Sequence, residues 1–283
     1  LDKLTYAGNL KNLEDLEKGN RLEDKMIKVS VNGALGRMGS TVCEAIISDP
    51  ETELIDSVDF SSKGHKTADN KLIRNDFSYI SPENKPDVIV DFTNREGMMQ
   101  LVEIATPLGI SIVSGSTGLL DEDYAHLKNI SKQYSCGILS ASNFAIGAIL
   151  MMELASIAGK YFEYADLIES HHENKIDAPS GTAISIAEAA ASKKDKNFKQ
   201  NEAEKQTIKN TRGGSLGGVQ IHSARMPGRV ARHELVFGGL GQTFTMLHDS
   251  IDRQSFMPGV ILGVKEIIKK KELVIGLDKI MGI

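Results

Sequence analysis

The chain has 283 residues and a formal net charge of -5, enough length to bury a sizeable core in one or two domains and no basic excess that would recruit nucleic acid. Its two cysteines, Cys43 in a predicted helix and Cys136 beside a predicted strand, suit buried thiols in a reducing compartment. Neither a secretory apolar segment nor a membrane-length apolar run occurs, so a soluble, cytoplasmic protein with no membrane partner is expected.

Residues 1–25 are charged and turn-rich, and Met26 follows them at once. LDKLTYAGNL resembles a segment of nucleotide-sugar dehydratases that lines an adenosine pocket, but no glycine loop precedes it here. These residues are read as an extension, a misplaced gene start or an expression remnant, and are assigned no function. From Ile27, IKVSV is a β-rich strand and NGALGRMGSTVCEAII turns out of it into a helix. Gly33, Gly36 and Gly39 serve, in that order, a tight turn, close approach of a pyrophosphate and close packing of helix on strand. The spacing is GxxGxxG, a departure from GxGxxG, and a ligand-free capping turn is the alternative. Arg37, beside Met38 in the first helical turn, either reaches phosphate oxygens bidentately or is solvated. ELIDSVD is the second strand and ends at Asp59, 20 residues past Gly39, where a carboxylate meets the adenosine ribose hydroxyls.

PDVIVDFT is a buried strand ending in Asp91 and Thr93, and REGMMQLVEIATPLG is a helical crossover closed by Gly109. ISIVSGSTG is a further strand exposing Gly115, Ser116, Thr117 and Gly118 at its end; DEDYAHLKNISKQ is a helix and CGILSASNFAIG another strand and turn. The recurring βα order implies a parallel sheet with ligands at the C-terminal strand ends.

After Asn143 the pattern changes. AIGAILMMELASIAGKYF predicts a well-buried helix with Met151 and Met152 in the core. DLIESHHENKIDAPSGTAISIAE then reads as a strand ending near Glu169, a polar segment holding His171, His172, Lys175 and Asp177, and an alanine-rich helix opened by Pro179 and Ser180. With Ser180 as N-cap, the amides of Gly181, Thr182 and Ala183 are left to point outwards, and Lys175 beside them makes a pocket for a carboxylate or phosphate. The histidines add proton-transfer groups; solvated loop side chains are the bland alternative. Glu169 or Glu173 with the two histidines raises a metal site, but neither H-E-x-x-H nor a cysteine set is present, so no metal is expected. Residues 192–213 are a polar excursion. VQIHSARMPG, RVARHELVFGG and GQTFTMLHDS predict three successive antiparallel strands whose open edges favour oligomerisation, with His222, His233 and His248 in structural roles. The tail returns to helix and strand.

The run ESHHENKIDAPSGTA resembles the signature of the 4-hydroxy-tetrahydrodipicolinate reductases, NAD(P)H-dependent enzymes of the diaminopimelate route to lysine. GRMG, the GST loop and HDSIDRQSFMPGV follow the same family in order over roughly residues 27 to 280. The resemblance implies an α/β protein: an N-terminal Rossmann-type parallel-sheet domain, 26–142 completed by 253–283, and a second α+β domain on an open mixed sheet, 143–252, for substrate binding and assembly into a homotetramer. It further implies His171 and Lys175 as catalytic residues, with His172, Ser180, Gly181, Thr182 and Arg253 around a small cyclic dicarboxylate. Arg253 reads equally well as an interdomain ion pair. Thr93, Gly115, Ser116, Thr117, Ala141, Asn143 and Phe144 fall on the family's cofactor segments, with Ser116 where the family has threonine. NADPH-preferring relatives carry a basic residue beside the acidic one; Phe60 stands there, able to stack on adenine but not to neutralise a phosphate, while Lys63 is near. NADH is therefore favoured, with NADPH usable. Another two-domain NAD(P)-dependent dehydrogenase and a non-enzymatic nucleotide-sensing oligomer are the alternatives.

Overall fold

The computed structural model describes residues 26–81, 83–201 and 203–283; the expectation for residues 1–25 lies outside them. Strands β1 (Ile27–Asn32), β2 (Thr52–Val58), β3 (Val88–Asp91), β4 (Ser111–Ser114) and β5 (Ile138–Ser140) run parallel in one sheet. Every residue of β3 and β4 is buried, as strands covered on both faces must be. Their alternate side chains divide between two cores. Val88, Val90 and Val113 pack with Val42 and Ile46 of helix α1 (Arg37–Ser48), whereas Ile89 and Ile112 pack with Met98 and Leu101 of α2 (Arg95–Ala105) and Leu127 of α3 (Asp121–Tyr134). Asn94 caps α2 by accepting from the Gly97 amide at 2.8 Å, and Gly109, in the left-handed region at φ 69°, closes the turn after it.

The chain then crosses to a second sheet through α4 (Ile146–Ala158). This sheet is mixed, in the order β10 (Gln242–Ser250), β9 (Ala231–Gly239), β6 (Tyr164–His171), β8 (Val219–Arg225), β7 (Gly214–Leu216). Helices α4 and α5 (Gly181–Ala191) cover one face, where Met151, Ala155, Ala183, Ile186 and Ala190 meet Leu167, Leu235 and Phe237. Two expectations are corrected here. The last long strands do not pair in succession: β9 and β10 form a hairpin, but β6 lies between β8 and β9, parallel to the first and antiparallel to the second. Ala165, Leu167, Glu169 and His171 are all buried, and the central place gives β6 a neighbour on each edge, while the link 226–230 is long enough to cross two strand spacings of roughly 5 Å each. Helix α4 is also not buried all round. Met151 and Ala155 are in the core and Met152 is half-buried, but Leu150, Leu154 and Ile157 are exposed, because a helix laid on a sheet buries one stripe however apolar its sequence.

The tail returns through α6 (Met257–Ile267), whose Val260 and Val264 join the core beside α1, to β11 (Leu273–Ile275), which pairs with β5 at the edge of the first sheet, and ends in α7 (Leu277–Met281). No helix among the described residues is long and apolar enough to cross a membrane.

Candidate active site

The turn from β1 into α1 is built around absent side chains. Gly33 has φ +80°, and a Cβ on Gly39 would lie 2.0 Å from the Gly33 carbonyl oxygen, so the helix packs against the turn as only glycine allows. No side chain caps α1 at Gly36, which leaves its first amides for a ligand. At the end of β2, Asp59 accepts from the amides of Leu35 and Ser61, each at 3.0 Å, and from the Ser61 hydroxyl. Burial pushes its carboxyl up, but these hydrogen bonds outweigh it and hold it below the usual carboxylate range. Gly33, Asp59, Phe60 and Thr93 line a cavity of about 390 Å³, and Phe60 stands 57% exposed over it, edge-on to Phe77. An uncapped helix end, a glycine cradle and a fixed carboxylate fit a dinucleotide.

Beneath the next loop, Asp91 is wholly buried. It accepts from Asn32 Nδ2 at 2.8 Å, Thr93 Oγ1 at 2.7 Å, Ser114 Oγ at 2.8 Å and Ser116 Oγ at 2.7 Å. Burial drives this carboxyl above its ordinary value against the pull of all four donors. The hydroxyl of Ser116 is thus spent on anchoring the loop, while Thr117 is exposed. Gly115 packs so closely on Phe92 that a Cβ would meet the ring at 2.2 Å. Ala141 and Phe144 put their side chains into the core, so only their backbone faces any ligand. Asn143 reaches the first turn of α5, donating to Thr182 Oγ1 at 3.3 Å.

Across that junction, β6 runs on to His171, further than expected. Arg37 and Met38 from α1, with Asn143, His171, His172, Lys175, Thr182, His233, His248 and Arg253, line a single cavity of about 320 Å³. Two other grooves of about 520 and 540 Å³, beside α1 and beside α5, carry neither histidine nor cation. Ser180 is the predicted N-cap: its Oγ accepts from the Ala183 amide at 3.1 Å. That bond satisfies Ala183, so the outward amides are those of Gly181 and Thr182. Ser180 itself is 1% exposed and its hydroxyl lies 3.2 Å from His233 Nε2; it shapes the helix end and does not line the cavity. Lys175 pairs with Asp177 at 2.7 Å, and Arg253 lies exposed on the rim.

His171 is fixed from behind. Its Nδ1 lies 2.5 Å from Glu169 Oε2, and Arg225 grips the same carboxylate with Nη1 at 3.0 Å and Nη2 at 2.9 Å. Burial pushes the Glu169 carboxyl up, yet the hydrogen bonds from His171, Arg225 and Ser223 bring it down to about 2. An ionised carboxylate only accepts, so Nδ1 is the donor and Nε2 is the free ring nitrogen. His233 meets His171 edge to face at 5.3 Å. Burial above all, then the neighbouring His171, lowers its pKa to about 4. It is neutral near pH 7.

Residues 27–144 match the family model of the dihydrodipicolinate reductase N-terminus and residues 147–281 that of its C-terminus. The chain belongs to the dihydrodipicolinate reductase family. The 4-hydroxy-tetrahydrodipicolinate reductase of Syntrophomonas wolfei is 42% identical over 261 residues, covering 90% of this chain and 98% of that one. That of Lysinibacillus sphaericus is 38% identical over 265 residues, covering 90% and 99%. Among solved structures, the dipicolinate-bound dihydrodipicolinate reductase of a Paenisporosarcina species superposes with a TM-score of 0.82 at 34% identity, covering 90% of this chain and 99% of that one. An amine dehydrogenase from Mycobacterium smegmatis, at 13% identity and a TM-score of 0.62 over 89% and 95% of the two chains, shares the fold alone.

Family resemblance pointed to seven residues around the substrate; His171, His172, Lys175, Thr182 and Arg253 line one cavity, whereas Ser180 and Gly181 do not line it. It gave no part to His233 and His248, expected as structural, which line the same cavity; His222 instead faces Asp166 at 3.4 Å. The signal was strand parity. His233 alternates with the buried Leu235 and Phe237, and is in register with both Glu169 and His248, so all three share the face beneath the helices.

Proposed function

We propose that this protein reduces 4-hydroxy-tetrahydrodipicolinate, the compound for which its relatives are named, in the diaminopimelate route to lysine. The observation that carries the reading is the shared cavity, where the start of the cofactor helix, Arg37 and Met38, meets His171, His172, Lys175, Thr182 and Arg253. When bound, the nicotinamide supplies the hydride that attacks an unsaturated ring carbon. Lys175, the Thr182 hydroxyl and the amides of Gly181 and Thr182 hold one substrate carboxylate, since a cation and a helix N-terminus act on the same anion. Their positive field draws electrons into the ring and favours that attack. The 4-hydroxyl leaves as water to give the conjugated ring; the hydride then forms one new C–H bond, and the displaced π pair takes the proton given by His171 from Nε2 in a second. His172 contacts substrate or orients the loop, and Arg253 closes the rim.

A held, ionised Asp59 accepts from ribose hydroxyls and repels a phosphate, and Phe60 brings no charge to offset it; both support NADH as the favoured cofactor, with NADPH usable through Lys63 or Arg37. The uncovered face of the second sheet presents Ile168 and Leu247, 38% and 58% exposed, beside the edge strand β10. This supports a homotetramer formed through that sheet. The role of His171 is tested by substitution. His171→Ala should lower kcat roughly a hundredfold with a smaller change in substrate KM, Lys175→Ala should impair both, and neither should weaken NADH binding followed by its fluorescence. Near-normal kcat in His171→Ala across the pH range would assign the proton to another group.

A further inference from the structure

Glu169 and Arg225 do not line the cavity that holds His171 and Lys175, yet three parts of the site hang on them. Glu169 is wholly buried. Its Oε2 takes His171 Nδ1, and its Oε1 accepts from the Ser180 amide at 3.3 Å, at the start of α5. Arg225 stands directly opposite His171 in the parallel register of β6 and β8. Besides its fork on Glu169, it donates from Nη2 to the Asp177 carbonyl at 2.6 Å, and so ties down the loop whose Asp177 carboxylate holds Lys175. Taking the charge of Glu169 and most of that of Arg225, whose side chain is 18% exposed, out of water is costly, and apolar side chains of the same volume often stabilise a fold as well or better. Stability alone is thus a weak reason for this pair.

We infer that the Arg225–Glu169 pair is a positioning device, which fixes His171 as its Nδ1–H tautomer with Nε2 toward the cavity and holds that ring in register with the carboxylate-binding start of α5 and the Lys175 loop. The inference rests on His171 being the proton donor proposed above. The two charges also act on the imidazolium in opposite senses. Glu169 favours it and Arg225 disfavours it, and each is shielded by the other. The remaining groups around the ring are His172 and Lys175 on the adjoining loop, neutral His233 on β9, His248 on β10 and Arg253 ahead of α6. None of them bonds to Nδ1.

The test uses the full chain with Glu169→Gln, Arg225→Leu and Arg225→Lys, reading the pH dependence of kcat/KM and the 15N spectrum of His171. Loss of the carboxylate charge makes the imidazolium release its proton more readily, so Glu169→Gln should move the basic limb of the profile to lower pH. Arg225→Leu leaves that charge unshared and should move the limb to higher pH. Arg225→Lys keeps the charge without the fork, and should leave the limb near its wild-type position while kcat falls roughly tenfold or more through misplacement. The wild-type spectrum should show the neutral ring protonated on Nδ1. A wild-type proton on Nε2, limbs that do not move, or limbs that move in the same direction would overturn the inference. Should Gln or Leu prevent folding, Glu169→Asp, which keeps the charge but shortens the reach, takes their place: it should lower kcat with substrate KM little changed and weaken the Nδ1–H signature, and wild-type behaviour in both would overturn the inference equally. Full activity in His171→Ala would refute the donor assignment instead, while the tautomer measurement still judges the pairing.

Discussion

Lowering the pH should destabilise the fold through one buried imidazole. His233 is 2% exposed, and burial with the adjacent His171 brings its pKa down from 6.5 to about 4. The unfolded chain therefore binds a proton that the native chain refuses, and stability present above pH 6.5 is lost as pH falls toward 4. Between pH 7.5 and pH 5 the loss from this residue is about 2 kcal/mol, approaching 3 kcal/mol near pH 4, at about 1.4 kcal/mol per pH unit. The measurement is urea unfolding followed by circular dichroism at pH 7.5 and pH 5, for the wild type and for His233→Gln, which cannot titrate. The variant should lose about 2 kcal/mol less than the wild type over that interval, whatever its stability at pH 7.5. His248, also lowered by burial, contributes equally to both proteins. Equal losses in wild type and variant would refute the reasoning.

Gly39→Ala places a Cβ 2.0 Å from the Gly33 carbonyl oxygen, so the turn must move; NADH titration should show at least a tenfold loss of affinity, about 1.4 kcal/mol, and unchanged affinity would remove the glycine turn from the cofactor site. Ser180→Ala deletes the cap on Ala183 and the contact with His233. It should lower stability by about 1–2 kcal/mol, seen as a fall in Tm, and should raise substrate KM as the helix start frays; a variant with wild-type Tm and KM would show that the cap is dispensable.

The first sheet was legible because its apolar runs, its glycine turn into α1 and the Gly109 turn after α2 each depend on neighbours in sequence: the segments from IKVSV to CGILSASNF all fold as read. The second sheet was less so. Alternation tells which face of β8, β9 or β10 is buried, but it carries no information about which strand lies alongside, and the central place of β6 is a long-range outcome. The same limit hid the rear of the site. Glu169, His171, Arg225 and His233 come from three strands, and only the observed register sets them side by side. Parity alone would have marked His233 as inward, sharing a face with Leu235 and Phe237. The Ser180 cap was readable from its position before an alanine-rich helix, although its bond to Ala183 leaves two outward amides where three were expected. Helix α4 misled because uniform apolarity cannot say which stripe is covered.

The central claim is tested most directly by mixing the purified chain with NADH and freshly generated cyclic substrate and following the loss of reduced-nicotinamide absorbance. Substrate-dependent oxidation that saturates, with NADH at least as effective as NADPH in kcat/KM, is the predicted result. No substrate-dependent oxidation with either nucleotide, from protein that binds NADH, would contradict it.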